Sequence, residues 1–408
     1  MNIKNYADSQ YALIKKNIIR FLAKGPNSFK NILLNSDGLF PLDLIYVLYN
    51  MISDGEIILK NKLYSLTREI KIIPISKSTD LELHLPPPHL HDCDWRFTKS
   101  TIEYVCVKIL EDVFETDHIL LLGAPTILVG LLQYDPIPNI HLIDSNISVI
   151  DFFKKTLNTP KISVHCLNLL INNWKFNEYI EKVFLDPPWY PEYYAAFLIQ
   201  ASLVTDIGST VDLVLPAINT RHTANYERWK ILDISRQLGF SIKSLKSGVV
   251  KYETPEFEKS SIKFHNIDGI NDWRVADLIT FKKYENVDTK IIDRIRKDNV
   301  KKYDREEWFE IIINNYKIKL KGPFNDYNVI PKLISIEKND ILPSVSRRYA
   351  NRKNIDLWLS DNRVFKVEGR AAFLYALLSM ANKKISNHLR DISQLNVDAA
   401  LHYLKKIL

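Results

Sequence analysis

Between His118 and Phe281, short apolar runs alternate with stretches of helical pattern, and this alternation constrains the fold more than any other feature of the chain. His118 to Leu122 reads as an apolar strand that stops at Gly123. Asn139 to Ile143 reads as a second strand, closed by Asp144, and Ile162 to Cys166 as a third. Lys182 to Leu185 is a fourth that runs into Asp186, Thr210 to Leu215 a fifth, and Ala276 to Phe281 a late strand. Helices fit between them at 126–133, Ser148 to Leu157, Pro191 to Val204 and Tyr226 to Leu238, the last capped by Gly239. Strands that alternate with helices predict a parallel sheet covered on both faces. Ligands on such sheets sit beyond the carboxyl ends of the strands.

With 408 residues, the chain exceeds one ordinary core, so two or three domains are expected. Near the start, Tyr11, Leu13, Ile14, Ile18, Ile19 and Leu22 recur at helical spacing until Gly25-Pro26-Asn27 breaks the pattern. Phe29 to Leu34 is a second short helix. Pro41 opens a third, with Leu42, Ile45, Leu48, Tyr49 and Ile52 as its apolar face. EIILKNKLYSLT then reads as two strands joined at Lys60-Asn61-Lys62. Three helices and a hairpin over residues 1–75 resemble a winged helix. Base readout wants Arg, Lys, Asn or Gln on the third helix. This one is accompanied by Asp43 and Asp54 and has neither Arg nor Lys. The expected role is therefore a protein contact, either a homodimer or another protein partner, with nucleic acid as the alternative. Residues 76–91 read as a linker stiffened by Pro86-Pro87-Pro88. The α/β domain is expected over 92–284. A charged, mostly helical region follows over 285–408, with Val367 to Leu408 helical.

Composition narrows the class further. Hydrophobic residues make up 46% and charged residues 25%, a soluble globular balance. No apolar run approaches the roughly 18 residues of a membrane span, and the first residues lack a secretory apolar stretch, so a cytoplasmic protein without membrane contact is expected. Cys93, Cys106 and Cys166 are scattered without metal-ligand spacing and read as reduced thiols. No metal is expected. A net charge of +7 permits a polyanionic partner without requiring one.

Three features fall at the carboxyl ends of successive strands. In LLLGAPT, a strand ending in Gly123 lets backbone approach a ligand closely, and the following helix offers amides. In LIDSN, Asp144 stands where an acid binds ribose hydroxyls, although strands also end in Asp for turn reasons. FLDPPWY carries the strongest local signal. Two prolines fix φ and remove amide donors, which leaves a rigid loop with carbonyl acceptors. An exocyclic amine is a poor nucleophile while its lone pair is delocalised. The Asp186 side chain and the Pro187 carbonyl can take its two N–H groups, and Trp189 can stack on its flat ring. A proline-rich strand-to-helix turn with Trp189 as packing is the plainer alternative.

Together these residues resemble the Rossmann-like class I S-adenosylmethionine-dependent methyltransferases that act on amino groups through an Asp-Pro-Pro-aromatic loop. The resemblance spans about 92–283. It implies S-adenosylmethionine as cofactor, with Gly123, Ala124 and Pro125 beside its methionine part, Asp144 and Ser145 at the ribose, and Asn168 and Leu169 near the adenine. It implies Asp186, Pro187, Pro188 and Trp189 as the catalytic loop. A segment before the first strand also touches cofactor in that family, which here points to Phe97 and Thr98. Two departures stand out. GAPTILVG is poorer in glycine than usual, and Asn168 stands where an acid often does. Adenine in nucleic acid is the leading acceptor. The chain also resembles branched-chain polyamine synthases, which join a winged helix to an Asp-Pro-Pro Rossmann domain and transfer an aminopropyl group from decarboxylated S-adenosylmethionine. An acidic cluster after the first strand is missing here, and only Asp92 and Asp94 offer nearby acids. A winged-helix and Rossmann scaffold without catalysis is a third reading.

Other residues attract less chemistry. YETPEFE (Tyr252 to Glu258) reads as a solvated loop. SRRYANRK places Arg347, Arg348, Arg352 and Lys353 around Tyr349, which suits phosphate or a solvated helix equally. His89 and His91 near Asp92 lack further ligands and read as loop.

Overall fold

The computed structural model describes residues 3–70, 77, 83–111, 113–300 and 306–408. Residues 71–75 at the end of the expected winged helix, 76 and 78–82 of the expected linker and 301–305 of the charged stretch lie outside the described residues. The chain forms two compact units, Met1–Leu83 with Lys99–Lys251 and Val275–Lys302, and His84–Thr98 with Tyr252–Arg274 and Tyr303–Leu408. No helix among the described residues is long and apolar enough to cross a membrane.

The first unit begins with α1 (Ile3–Leu22), β1 (Asn27–Ser28), α2 (Phe29–Leu34), α3 (Pro41–Ser53), β2 (Ile57–Lys60) and β3 (Leu63–Leu66). Ser28 caps α2 by accepting from the Asn31 amide, and Pro41 occupies the first turn of α3, where its missing N–H costs nothing. Asn61 and Lys62 both take positive φ, the geometry of a two-residue hairpin turn between β2 and β3. The small antiparallel sheet has the order β1-β3-β2. Its core is Ile18, Leu22, Ile32, Leu44, Val47, Leu48, Met51 and Ile57. This corrects the apolar face assigned to α3. Leu44, Val47, Leu48 and Met51 are buried, whereas Leu42, Ile45, Tyr49 and Ile52 are exposed. Both faces of the helix are apolar, so periodicity alone cannot choose the inner one.

The chain continues through α4 (Lys99–Leu110), β4 (His118–Leu122), α5 (Pro125–Leu131), β5 (Asn139–Asp144), α6 (Ile147–Thr156), β6 (Ile162–Cys166), β7 (Ile180–Leu185) and α7 (Pro191–Val204). It then forms β8 (Thr205–Pro216), α8 (Ala224–Gln237) and β9 (Phe240–Lys251). The helix α9 (Glu256–Phe264) belongs to the second unit, and the chain returns with β10 (Val275–Lys283) and α10 (Thr289–Asn299). The sheet order is β6-β5-β4-β7-β8-β10-β9. The first five pair in parallel, and β10 is antiparallel to both neighbours. Ile119, Leu120, Leu121 and Leu122 are wholly buried, as a central parallel strand requires. α7 is buried almost all round, which explains its continuous apolar sequence. This is a Rossmann-like α/β sheet, parallel over its first five strands. The strand order reverses between β4, which leads to β5 and β6 on one side, and β7, which leads to β8 on the other.

The second unit corrects the expectation of a mostly helical C-terminal region. Its centre is a five-stranded antiparallel sheet of order β11-β12-β14-β15-β13. The strands are β11 (Trp308–Ile313), β12 (Tyr316–Lys321), β13 (Lys332–Ser335), β14 (Leu357–Leu359) and β15 (Val364–Glu368). Asn314 and Asn315, both at positive φ, turn WFEIIINNYKIKLK into a hairpin. Val367, expected in a helix, is a strand residue. The helices α11 (Arg370–Met380) and α12 (Gln394–Ile407) supply Phe373, Leu377, Val397 and Leu404 to the core.

Candidate functional site

The switch between β4 and β7 is where an open parallel sheet parts its loops and admits a ligand. Gly123 follows β4 and Asp186 follows β7, so two of the singled-out residues flank that point. Leu122 is in register with both Ile143 and Leu185. The Gly123 amide donates to the Ile143 carbonyl at 2.9 Å, and the Asp186 amide to the Leu122 carbonyl at 3.0 Å. Gly123 sits at φ +64, and a Cβ there would lie 2.8 Å from the Asp186 carbonyl oxygen and 3.1 Å from the Phe197 ring. Only glycine satisfies both the backbone conformation and the space. The poor glycine content of GAPT therefore conceals one position at which glycine is indispensable.

The loop after β7 is stiff. Pro187 is buried, and the Tyr190 amide donates to the Pro188 carbonyl at 2.6 Å. Pro191 opens α7. Trp189 is half-buried and packs on the main core. Arg221, in the loop after β8, donates to the Trp189 carbonyl and stands 5.9 Å from the centre of the Tyr190 ring. Arg221 is itself held by Glu227, its Nε 2.9 Å from Oε2, while the Thr223 hydroxyl donates to Oε1 at 2.8 Å. The next residue, Arg228, donates to Asp277 at 2.7 Å and to the Pro216 carbonyl at 2.6 Å. Two inward residues of α8 thus fasten the loop after β8, and that loop braces the one after β7. Sequence reasoning missed Arg221 and Glu227. Their signal was position alone, just past the carboxyl end of the fifth parallel strand. Burial pushes the Tyr194 hydroxyl well above its ordinary range, with the nearby Asp186 charge adding to the effect. That hydroxyl donates to the Val214 carbonyl at 3.0 Å and stays a structural donor.

Along the same edge, Asp144 ends β5. Its Oδ1 accepts the Asn146 amide at 2.7 Å, and its carbonyl accepts the Leu167 amide at 2.9 Å. The turn role foreseen for this acid is thus present in the geometry. Ala124 is buried and Pro125 opens α5, while Ser145 is exposed and gives its carbonyl to the Cys166 thiol at 3.9 Å. Asn168 follows β6, and its Oδ1 accepts the Leu170 amide at 3.0 Å, closing a tight turn. Leu169 is a core residue whose carbonyl faces Arg296 at 3.4 Å. The carboxyl edge of β6, β5, β4 and β7 therefore carries Asn168, Asp144, Gly123 and Asp186 in that order.

The remaining candidates belong to the second unit. Phe97 is buried, bridges to Tyr252 and lies 4.8 Å from its ring; Thr98 follows it. YETPEFE is not a solvated loop. Phe257 and Glu258 are buried, and Glu258 accepts from the Trp95 indole at 2.9 Å and pairs with Arg274. Asp92 pairs with Lys317 and Lys319, which both also meet Glu310, an ion network that satisfies charges inside that unit. Burial holds His89 well below its usual titration range, and its Nε2 lies 3.2 Å from the Trp358 carbonyl. Arg352 stands 4.8 Å over the Trp358 ring. No cluster of three or more His, Cys, Asp or Glu among the described residues could hold a metal.

The fold is a Rossmann-like α/β sheet. No family model matches the sequence, and no curated protein matches it either. Among solved structures, a branched-chain polyamine synthase from Thermus thermophilus is 15% identical, covers 67% of this chain and 88% of its own, and has a TM-score of 0.40. A TehB-like S-adenosylmethionine-dependent methyltransferase from Corynebacterium glutamicum is 11% identical over 46% of this chain and 89% of its own, with a TM-score of 0.30. An S-adenosylmethionine-dependent methyltransferase from Methanosarcina mazei is 12% identical over 43% of this chain and 96% of its own, also with a TM-score of 0.30. These identities and scores are too low to bear on substrate or mechanism.

Proposed function

We propose that this chain is an S-adenosylmethionine-dependent N-methyltransferase whose acceptor is a planar amine, with adenine in nucleic acid as the leading candidate. One observation carries the reading: Gly123 and the Asp186 loop meet at the sheet's switch point, with no room for a side chain between them. The same edge carries Asp144 and Asn168 after β5 and β6, the positions from which ribose and adenine groups would be held. Gly123, Ala124 and Pro125 would border the methionine part, with Ser145 and Leu169 flanking the nucleoside. When bound, S-adenosylmethionine supplies an electrophilic methyl carbon for in-line attack by nitrogen. The chain contributes positioning. The Asp186 carboxylate and the Pro187 carbonyl accept the two N–H groups of the amine and favour a pyramidal nitrogen. Pro188 is engaged by Tyr190, so the loop does not bend when an acceptor arrives. Trp189 stacks on the acceptor ring, and Arg221 fixes the Trp189 backbone. In the same reading, the three helices and hairpin at the start form a winged helix. A duplex target has to be flipped out of its stack before it can reach such a loop.

The test is transfer to adenine-containing oligonucleotides and to polyamines, followed by mass spectrometry, for the wild type, Asp186→Ala and Trp189→Ala. Asp186→Ala is expected to lower kcat at least about a hundredfold with little effect on donor affinity. Trp189→Ala removes a stacking surface of about 1–3 kcal/mol per base and should raise KM as well. Aminopropyl transfer to a flexible polyamine, insensitive to Trp189, would replace methylation with the polyamine reading. Undiminished transfer by Asp186→Ala would make the loop structural.

A further inference from the structure

The helix α3 has an inner apolar face and an outer one. Leu44, Val47, Leu48 and Met51 point into the core of the small N-terminal subdomain. Leu42, Ile45, Tyr46, Tyr49 and Ile52 are between 38 and 71% exposed. Their spacing of three, four, seven and ten residues from Leu42 puts them on one stripe along the helix. We propose that this stripe is where two copies of this chain associate, stripe against stripe, about a two-fold axis. The proposal stands independently of the transferase reading.

Three considerations select a second copy as the occupant. The first is area. At about 200 Å² for a large side chain, the exposed parts of these five residues amount to on the order of 600 Å². Two such stripes give about 1,200 Å², the lower edge of specific, stable interfaces, and a single stripe already matches the largest patch of a typical monomer. Phe40, just before the helix, and Ile58, Leu59 and Leu63 of the adjoining hairpin are exposed as well and extend the apolar surface of the subdomain. The second is charge. The stripe holds no carboxylate, ammonium or guanidinium, so it meets its own image without like-charge repulsion, as a two-fold interface requires. The third bears on the obvious competitor. α3 is the helix that would enter a DNA groove, yet it has no Arg or Lys and carries Asp43 in its first turn. Phosphate and base contacts want cations there, whereas Tyr with large aliphatic residues is the composition of an interface core.

Sedimentation velocity of the full chain at low micromolar concentration tests this. The samples are the wild type, the double variant Ile45→Glu with Tyr49→Glu, and the control Leu395→Glu, a change at a 79% exposed residue in the second unit. The wild type and the control are expected to sediment as dimers and the double variant as a monomer, with equal far-ultraviolet circular dichroism in all three. If the double variant loses helicity, Tyr49→Ser decides: dimerisation weakened at least about tenfold supports the proposal, as loss of a central aromatic anchor should, and undiminished dimerisation overturns it. A monomeric wild type, or a double variant that stays dimeric, also overturns it. A monomeric wild type that retards duplex DNA, with the retardation lost in the double variant, would assign the stripe to nucleic acid instead.

Discussion

The two ends of the parallel strands share main-chain bonds and differ in where their side-chain pairs lie. At the amino ends, ion pairs and a histidine pair add to main-chain bonds from the Asn139 amide to the Asp117 carbonyl and from the Ile140 amide to the Lys161 carbonyl. Arg20 of α1 reaches Asp117 at 3.1 Å and Glu181 at 3.0 Å, and Lys16 reaches Glu181 at 2.5 Å. Beside them, His118 Nδ1 lies 3.0 Å from His141 Nε2, and His141 Nδ1 lies 2.6 Å from the Ser163 hydroxyl. At the carboxyl ends the Gly123, Leu167 and Asp186 amides bond carbonyls of neighbouring strands, and the side-chain bonds of Asp144, Asn168 and Arg221 lie in the turns and loops just beyond. Main-chain bonds fix a strand end without using its side chain. Side-chain pairs consume the groups that make them. The amino edge is a joint of ion pairs next to the strands, whereas the carboxyl edge carries the residues on which the proposed function rests.

Substitution at Gly123 should produce the largest effect. Gly123→Val forces a branched side chain into positive φ and against the Asp186 carbonyl. Donor binding and turnover are expected to fall at least about a hundredfold, since a displacement of about 1 Å suffices for that loss. Calorimetry and a transfer assay would read both quantities. Retention of both would show that the glycine and the loop are independent.

An intermediate effect, of the opposite kind, is expected at the other end. Arg20→Ala strips Asp117 and Glu181 of a cation that is largely shielded from water. Stability should drop by about 1–2 kcal/mol in denaturant unfolding, less than for a fully buried pair because Glu181 is partly exposed. Turnover per folded molecule should not change. A fall in turnover matching the loss of stability would erase the distinction between the two edges.

The smallest effect is one of pH. Burial, with the His118 and His165 charges, pushes His141 down to about 4. An unfolded chain protonates this ring near 6.5, so it takes up the proton before the folded chain does. The stability present above about 6.5 should be lost as pH falls towards 4 and should change little further below that. His141→Gln is expected to flatten this part of the profile, measured by unfolding at pH 7 and pH 5. An unaltered profile would remove His141 from the account.

The same contrast explains what the sequence disclosed. The parallel strands were legible because central strands are apolar on both faces and break at Gly123, Asp144 and Asp186. β8 starts at Thr205, five residues before the expected Thr210; TDIGS carries turn residues, and only Thr205 of it is in register with β7, before an irregularity in the ladder. The sheet of the second unit was hidden for a related reason. Lys317 and Lys319 are buried strand residues made tolerable by Asp92 and Glu310, more than two hundred and about seven residues away, and their charge disguises the alternation. The inner face of α3 was misread because its outer face is equally apolar. Arg221 and Glu227 were silent because they are held by a backbone carbonyl, the nearby Thr223 hydroxyl and each other, a set with no motif of its own.

Calorimetric titration of S-adenosylmethionine into the wild type, Asp144→Ala and Arg20→Ala tests the central claim most directly. The account predicts one site per chain in the wild type, the same site in Arg20→Ala, and binding weakened at least about tenfold in Asp144→Ala, the loss of a hydrogen-bonded carboxylate partner. Equal affinity in the wild type and Asp144→Ala, or no binding of either S-adenosylmethionine or its decarboxylated form to the wild type, would contradict it.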